Sequence, residues 1–481
     1  LWYNLLHTPA RRERKPEDLQ FIKKLFAPVD MTQGSPVKQI ILFSIPMIIG
    51  NFAQQLYNTA DAVIVGHFVG DNALAAVGSA GPILNLMLVL FIGISTGASI
   101  MVSQYFGARK REELSKSIGT CIVLTGIASL IIMVIGTLLA RPLLRLLGTP
   151  ESIIGWCTSY LVIIFLGFAG TGYYNILGGV LRGLGDSISA LLYLIIATVL
   201  NIVLDLVFVA FFNMGVAGVA LATIMAQIIS AVLTLRKLMR MTHLFDLKRE
   251  YLKPDKAYMS NLIRLGIPTG ITQGIFSLSL IVVQSLTNTF GEVCIAANVI
   301  VMRVDGFVML PAFSFGTAMT TYAGQNIGAG RLDRVKEGAK HGTLFAMSVS
   351  AVLSLLIALF GKHLMAIFTN TQELIDLSYH IMLILLAGYI VVEVTQCLSG
   401  IMRGAGDTVT PMWIAITTNV LFRVPMAYLL VHLTKTPELP QGNFYMMAVS
   451  LLINWILGAV LNLILYKRGK WESKAIVGRD S

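Results

Sequence analysis

Two aspartates interrupt otherwise apolar stretches of this 481-residue sequence, Asp61 and Asp205. A carboxylate in such a stretch is expensive to bury and marks a functional site by default. Around Asp61, the residues Gln54, Tyr57 and Asn58 recur at three- and four-residue steps and share its face on a helix. Thr198 and Asn201 stand in the same relation to Asp205, while Thr223 and Asn175 add neutral oxygens from neighbouring stretches. Two carboxylates among neutral oxygen donors could share one proton, because both cannot stay ionised cheaply in a low-dielectric site. The same oxygens could instead ligate a small hard cation such as sodium. A third reading is a structural hydrogen-bond cluster that ties helices together.

The elements that must position these groups are long and apolar. Hydrophobic residues make up 56% of the chain and charged residues only 13%, against about a quarter charged in soluble proteins; mean hydropathy is +0.76. The apolar runs are long enough to cross roughly 30 Å of hydrocarbon as helices. They are continuous rather than alternating, which excludes a transmembrane barrel. Twelve spans are expected, at about 37–66, 74–106, 116–140, 152–180, 188–212, 216–240, 262–290, 294–328, 338–360, 374–401, 410–433 and 444–466. Spans 1 and 8 exceed the required length, so a bend is expected near Pro46 and Pro311. The net charge of +11 is topological and does not imply a nucleic-acid partner. Of the 36 Lys and Arg, 30 fall in the tails, loops and span ends on the side of the N-terminus. That bias puts both termini in the cytoplasm of a multi-pass cell-membrane protein.

The chain repeats itself at a shift of about 221 residues. Leu181-Arg182-Gly183-Leu184-Gly185-Asp186-Ser187 matches Met402-Arg403-Gly404-Ala405-Gly406-Asp407-Thr408, and Gln104 to Ala108 fall on Gln325 to Ala329. At one residue more, Ile45-Pro46 falls on Ile267-Pro268. Each half holds six spans, so the halves share one orientation and enclose a cavity near the midplane, as in transporters that alternate access. The expected organisation is an all-α integral membrane protein of two pseudosymmetric six-helix lobes: an N-terminal extension (1–35), an N-lobe (36–240), a basic linker (241–261), a C-lobe (262–467) and a tail (468–481). The extension has no signal-peptide core, and its run Arg11-Arg12-Glu13-Arg14-Lys15 reads as solvated.

At the repeat shift Asp61 falls on Val283 and Asp205 on Met426, so the C-lobe lacks the carboxylate pair. It carries Arg303, Asp305, Glu393 and Arg423, expected to form structural ion pairs between helices; Asp305 and Gln284, with Gln54, Tyr57 and Asn58, are candidates to line a substrate cavity. In the RGxGD segments, glycine permits a tight turn while Arg and Asp can cap or clamp helix ends. Gly93-Ile94-Ser95-Thr96-Gly97 matches GxSxG, but inside an apolar span its small residues let helices approach closely. No GxxxxGK[ST] motif occurs, so ATP-driven pumping is unsupported. Cys121, Cys157, Cys294 and Cys397 have no metal or disulfide spacing and are expected to pack.

Ile45-Pro46 with Tyr57 and Asp61, the paired RGxGD motifs after spans 4 and 10, and Gly324-Gln325-Asn326-Ile327-Gly328-Ala329-Gly330 closing span 8 give the chain its resemblance to the MATE (multidrug and toxic compound extrusion) family. The resemblance covers about residues 31–468. It implies a cation-driven antiporter, without cofactor, that exports drug-like small molecules as a monomer in the bilayer. It also places the coupling site of N-lobe-coupled members at Asp61, Asn201, Asp205 and Thr223, with Asn175 beside them. One sodium-coupled branch carries a glutamate in span 7; here that span has only Gln273 and Gln284, which favours the proton over sodium. The alternative from a related twin-lobe superfamily is a flippase for lipids or lipid-linked oligosaccharides. That function calls for a cationic cavity, whereas the expected faces offer mainly Gln, Asn and Asp.

Overall fold

The computed structural model describes residues 28–477. The Arg11–Lys15 run and residues 478–481 lie outside them. Among the described residues the apolar runs form eleven helices long enough to cross a membrane, and a bent pair supplies the twelfth span. In the first lobe these are α1 (Pro36–Phe68), α2 (Asp71–Gly107), α3 (Arg111–Leu146), the pair α4 (Glu151–Leu166) and α5 (Phe168–Gly183), α6 (Ser187–Asp205) and α7 (Gly215–Met239). In the second they are α8 (Lys256–Thr287), α9 (Glu292–Val308) continuing into α10 (Leu310–Gly328), α11 (Leu332–Ala366), α12 (Gln372–Gly404), α13 (Val409–Ile416) with α14 (Arg423–Leu433), and α15 (Tyr445–Lys467). Two π-helical turns adjoin buried charges: Leu206–Phe211 directly follows Asp205, and Thr417–Phe422 directly precedes Arg423. Such turns widen a helix locally and recur at functional sites.

The break in span 8 falls where it is expected, and a second, unexpected one falls in span 4. α1 runs unbroken through Pro46, whereas span 8 is interrupted at Met309, two residues ahead of Pro311. The first turn of a helix tolerates proline because its missing N–H would have had no partner there. The sharpest bend, 52°, falls in span 4 between α4 and α5, at Gly167. A Cβ on Gly167 would sit 2.2 Å from Ile224 Cγ2, so α7 packs into the break.

The lobes meet at the face where the described residues begin and end. Gly93 and Gly97 of α2 sit against Gly266 and Gly270 of α8 so closely that a Cβ on Gly93 would be 2.6 Å from the Gly266 carbonyl. The small residues of the GxSxG match are therefore a packing seam. One end further on, a Cβ on Gly107 would stand 1.9 Å from the Gln325 carbonyl, and one on Gly328 1.9 Å from that of Gln104. The two glutamines bond reciprocally across this seam. Gln104 donates to the Gly404 carbonyl (2.8 Å) and accepts from the Ile476 N–H (2.8 Å). Gln325 donates to the Gly183 carbonyl (3.2 Å) and accepts from the Met31 N–H (2.8 Å). Segments on either side of the helical bundle are thus drawn into one seal. Nearby, Arg111 grips Asp246 of the linker at 2.9 and 3.0 Å and holds that carboxyl below its ordinary range.

Candidate functional site

Asp61, Tyr57, Asn201, Asp205 and Thr223 converge in the first lobe. Each lies two to three turns from the end of its span at the face away from the termini, so they share a depth as well as a direction. Asp61 reaches Asp205 side chain to side chain, Asn201 lies beside Asp205, and Tyr57 lies beside Thr223. Asn201 and Asp205 are fully buried and Tyr57 nearly so. Tyr160 of α4 faces both carboxylates; the sequence reading missed it, since a lone tyrosine in an apolar span has no periodic partner to mark it.

The cluster is not a satisfied hydrogen-bond network. Tyr57 Oη, Asp61 Oδ1, both oxygens of Asp205, Asn201 Oδ1 and Nδ2, and Thr223 Oγ1 are buried without a hydrogen-bond partner among the described residues. Buried polar atoms are nearly always paired, and an orphaned one costs about 1–3 kcal/mol. Several such atoms on one spot leave hydrogen-bonding capacity that the surrounding side chains do not meet. Its donor set consists of oxygens, suited to a proton or a hard cation and not to a soft metal.

The remaining residues are distributed elsewhere. Asn175 lies eight residues from the opposite end of its span and lines a cavity between the lobes, donating to the Thr171 carbonyl at 2.9 Å. It is brought to Arg182, not to Asp61, because it lies near the end of span 4 on the side opposite the carboxylates. Gln54 lines a second small cavity with Asn175 and Arg182, and Asn58 is exposed. Gln284 and Asp305 do come together, in a cavity of about 310 Å³ within the second lobe, walled by Phe276, Met302 and Trp455 and reached by Arg423. Asn298 donates to Gln284 Oε1 (3.2 Å) at its rim.

The C-lobe charges do not meet as ion pairs. Among the described residues no contact within 4.0 Å joins Arg303, Asp305, Glu393 or Arg423 to one another. Glu393 instead accepts from Ser350 Oγ (2.6 Å), Arg423 donates to Ser279 Oγ (3.4 Å), and Arg303 is exposed. Hydroxyls on facing helices lie nearer to Glu393 and Arg423 than the opposite charges do.

The RGxGD motifs divide their labour. Asp186 caps α6 through the Ser189 N–H (2.8 Å) and Asp407 caps its counterpart through the Thr410 N–H (3.1 Å). Gly185 and Gly406 take φ of +87° and +97°, a region that L side chains rarely enter. The arginines take no part in this capping.

The family model MatE matches the chain twice, over residues 46–207 and 268–429, two copies at the shift of the internal repeat. The chain belongs to the MATE family. It is 32% identical over 446 residues to the probable multidrug resistance protein YoeA of Bacillus subtilis, covering 91% of this chain and 95% of that protein. It is 25% identical to the probable multidrug resistance protein NorM of Thermotoga maritima, covering 92% and 95%. Its fold superposes with a TM-score of 0.85 on an outward-facing multidrug resistance MATE transporter, at 23% identity over 92% of this chain and 97% of that one. As a MATE protein it is a multi-pass membrane transporter of the multidrug efflux class.

Proposed function

We propose that the chain is a cation-coupled antiporter that exports drug-like, amphipathic or cationic small molecules by alternating access. The proton is the favoured coupling ion and sodium the second. The observation that supports this is the carboxylate pair whose buried oxygens lack partners. Two adjoining carboxylates readily hold one proton between them, and its departure would leave repelling charges that favour a different packing of α1 against α6. The absence of a glutamate in span 7 favours the proton; sodium would use the same oxygens. The reading is tested in proteoliposomes holding the full chain, with proton and sodium gradients imposed separately. Drug efflux is expected to follow the proton gradient. Efflux driven by sodium alone transfers the site to sodium, and efflux driven by neither rejects coupling.

The guest would occupy the second lobe's cavity. Its volume of about 310 Å³ and aromatic walls suit a small amphipathic molecule, and Asp305 offers the only carboxylate in its lining among the described residues. Asp305→Asn is expected to weaken binding of a monocationic drug about tenfold, or ~1.4 kcal/mol, and to leave a neutral analogue of the same shape unchanged. Equal loss for both compounds would mean that Asp305 supports the fold and not the guest.

Export further requires both chain ends in the cytoplasm, as the distribution of Lys and Arg favours. A cysteine replacing the exposed Gln441 should react with an impermeant thiol reagent added to whole cells. One replacing the exposed Lys253 should react only after the cells are opened. The reverse pattern would invert the direction of transport.

A further inference from the structure

A second site lies where the lobes meet. A cavity of about 290 Å³ sits on the repeat axis, and apart from Ser95 every residue lining it has its repeat counterpart in the lining, at a shift of 221 or 222. Arg182 pairs with Arg403, Asn175 with Gln396, and Thr96 with Thr317. Ser99 and Thr320, also in the lining, precede the sealing glutamines by five residues, about 7.5 Å along a helix. The cavity therefore lies just inside the closed face.

Its chemistry is one-sided. Two guanidiniums are surrounded by hydroxyl and amide groups, and among the described residues no carboxylate lines the cavity. The ordinary explanation for an arginine in the last turn of a helix is that it neutralises the helix's carbonyl end. Arg182 does otherwise: its Nη1 lies 3.4 Å from the place a Cβ on Gly178 would take, so the side chain runs back one turn into the cavity. There it donates to Ser95 Oγ (3.1 Å), itself bonded to the Asn175 carbonyl (2.6 Å). Arg403 makes no hydrogen bond or ion pair among the described residues. Two half-buried like charges lining one cavity with no counter-charge repel each other, and an anion between them removes that cost. Guanidinium forks also match the planar or tetrahedral oxygens of carboxylate and phosphate.

We propose that Arg182 and Arg403 form an oxyanion site on the pseudo-two-fold axis, holding the carboxylate or phosphate group of a bound molecule. The site is independent of the proton site and of Asp305. It adds acidic and zwitterionic compounds to the guests the cleft can hold, and a phospholipid headgroup presents the same chemistry.

The test is calorimetric binding of phenyl phosphate and of benzoate to the full chain in neutral detergent, with benzylammonium as the cationic control. Saturable binding of the two oxyanions at one site is expected, with at least about tenfold loss in each of R182Q and R403Q. Benzylammonium should not compete. In the detergent solution, a drop in phenyl phosphate affinity on adding zwitterionic short-chain phosphatidylcholine identifies the headgroup as the occupant, and an unchanged affinity identifies a soluble guest; both support the site. No saturable binding, or unchanged affinity in both variants, overturns the proposal. Should either arginine variant fail to fold, Thr317→Cys carries the test: phenyl phosphate must slow its alkylation and benzylammonium must not. Equal alkylation rates with and without phenyl phosphate overturn the proposal as well.

Discussion

Asp61→Asn and Asp205→Asn are each expected to insert and fold normally yet to lose export driven by an ion gradient. An amide keeps the shape of the side chain but cannot take up and release a proton at neutral pH. It also cannot supply the negative charge that sodium would need. The loss should be complete to within the leak, because a coupled exchanger without its coupling step only equilibrates its guest. Binding is the contrasting readout. Where the ion and the guest are linked, each changes the other's affinity by the same factor, so the variants should bind drug with an affinity that no longer varies with pH or sodium. Wild-type export rates in both variants under an imposed proton or sodium gradient would move the coupling site elsewhere in the protein.

The second large effect is expected at the seam. Gly107→Ala and Gly328→Ala each place a Cβ 1.9 Å from a backbone carbonyl oxygen of the opposite lobe, a distance no packing tolerates. The helices α2 and α10 must separate, and the reciprocal bonds of Gln104 and Gln325 are stretched with them. Four hydrogen bonds at ~1 kcal/mol each set the scale at roughly 2–4 kcal/mol against the closed arrangement. That is a population shift of about 30- to 1,000-fold. Ser99→Cys, placed in the cavity behind the seal, is the reporter. It should be slow to label from the sealed face in the otherwise native chain and fast in either alanine variant. Protection that survives both substitutions would show that the seam is not the barrier.

The spans were legible because continuous apolar runs have only one use at this length, and the observed helices depart from the expected ones by no more than about two turns at any end. The carboxylate site was legible for a related reason: Asp61 and Asp205 stand out against Val, Leu and Ile. Asn175 shares a lobe with Asp205 but lies near the other end of its span, and counting from span ends separates the two. The C-lobe charges show a different limit. Balanced numbers of Arg and acid suggested pairs, but Glu393 and Arg423 face Ser350 and Ser279 instead, and nothing in the sequence tells which helix a buried charge faces. The bend at Gly167 has the same origin, since it depends on Ile224 of a helix more than fifty residues away. In the RGxGD motifs, aspartate and glycine followed their local turn chemistry, whereas the direction of the arginines is set by the cavity between the lobes.

The confinement of the carboxylate pair to one lobe, with Val283 and Met426 at the repeat positions, bears on the energetics of the proposed exchange. One pair that carries one proton per cycle fixes the stoichiometry. Traded against a monovalent cation, that proton moves no net charge, so the membrane voltage contributes nothing and the guest can be concentrated only about tenfold per pH unit. Traded against a neutral or zwitterionic guest, the same proton is a current, and each 100 mV adds about 2.3 kcal/mol, or roughly another fiftyfold. With the carboxylate pair in one lobe only, the charge of the guest rather than its affinity determines how steep a gradient the transporter can hold.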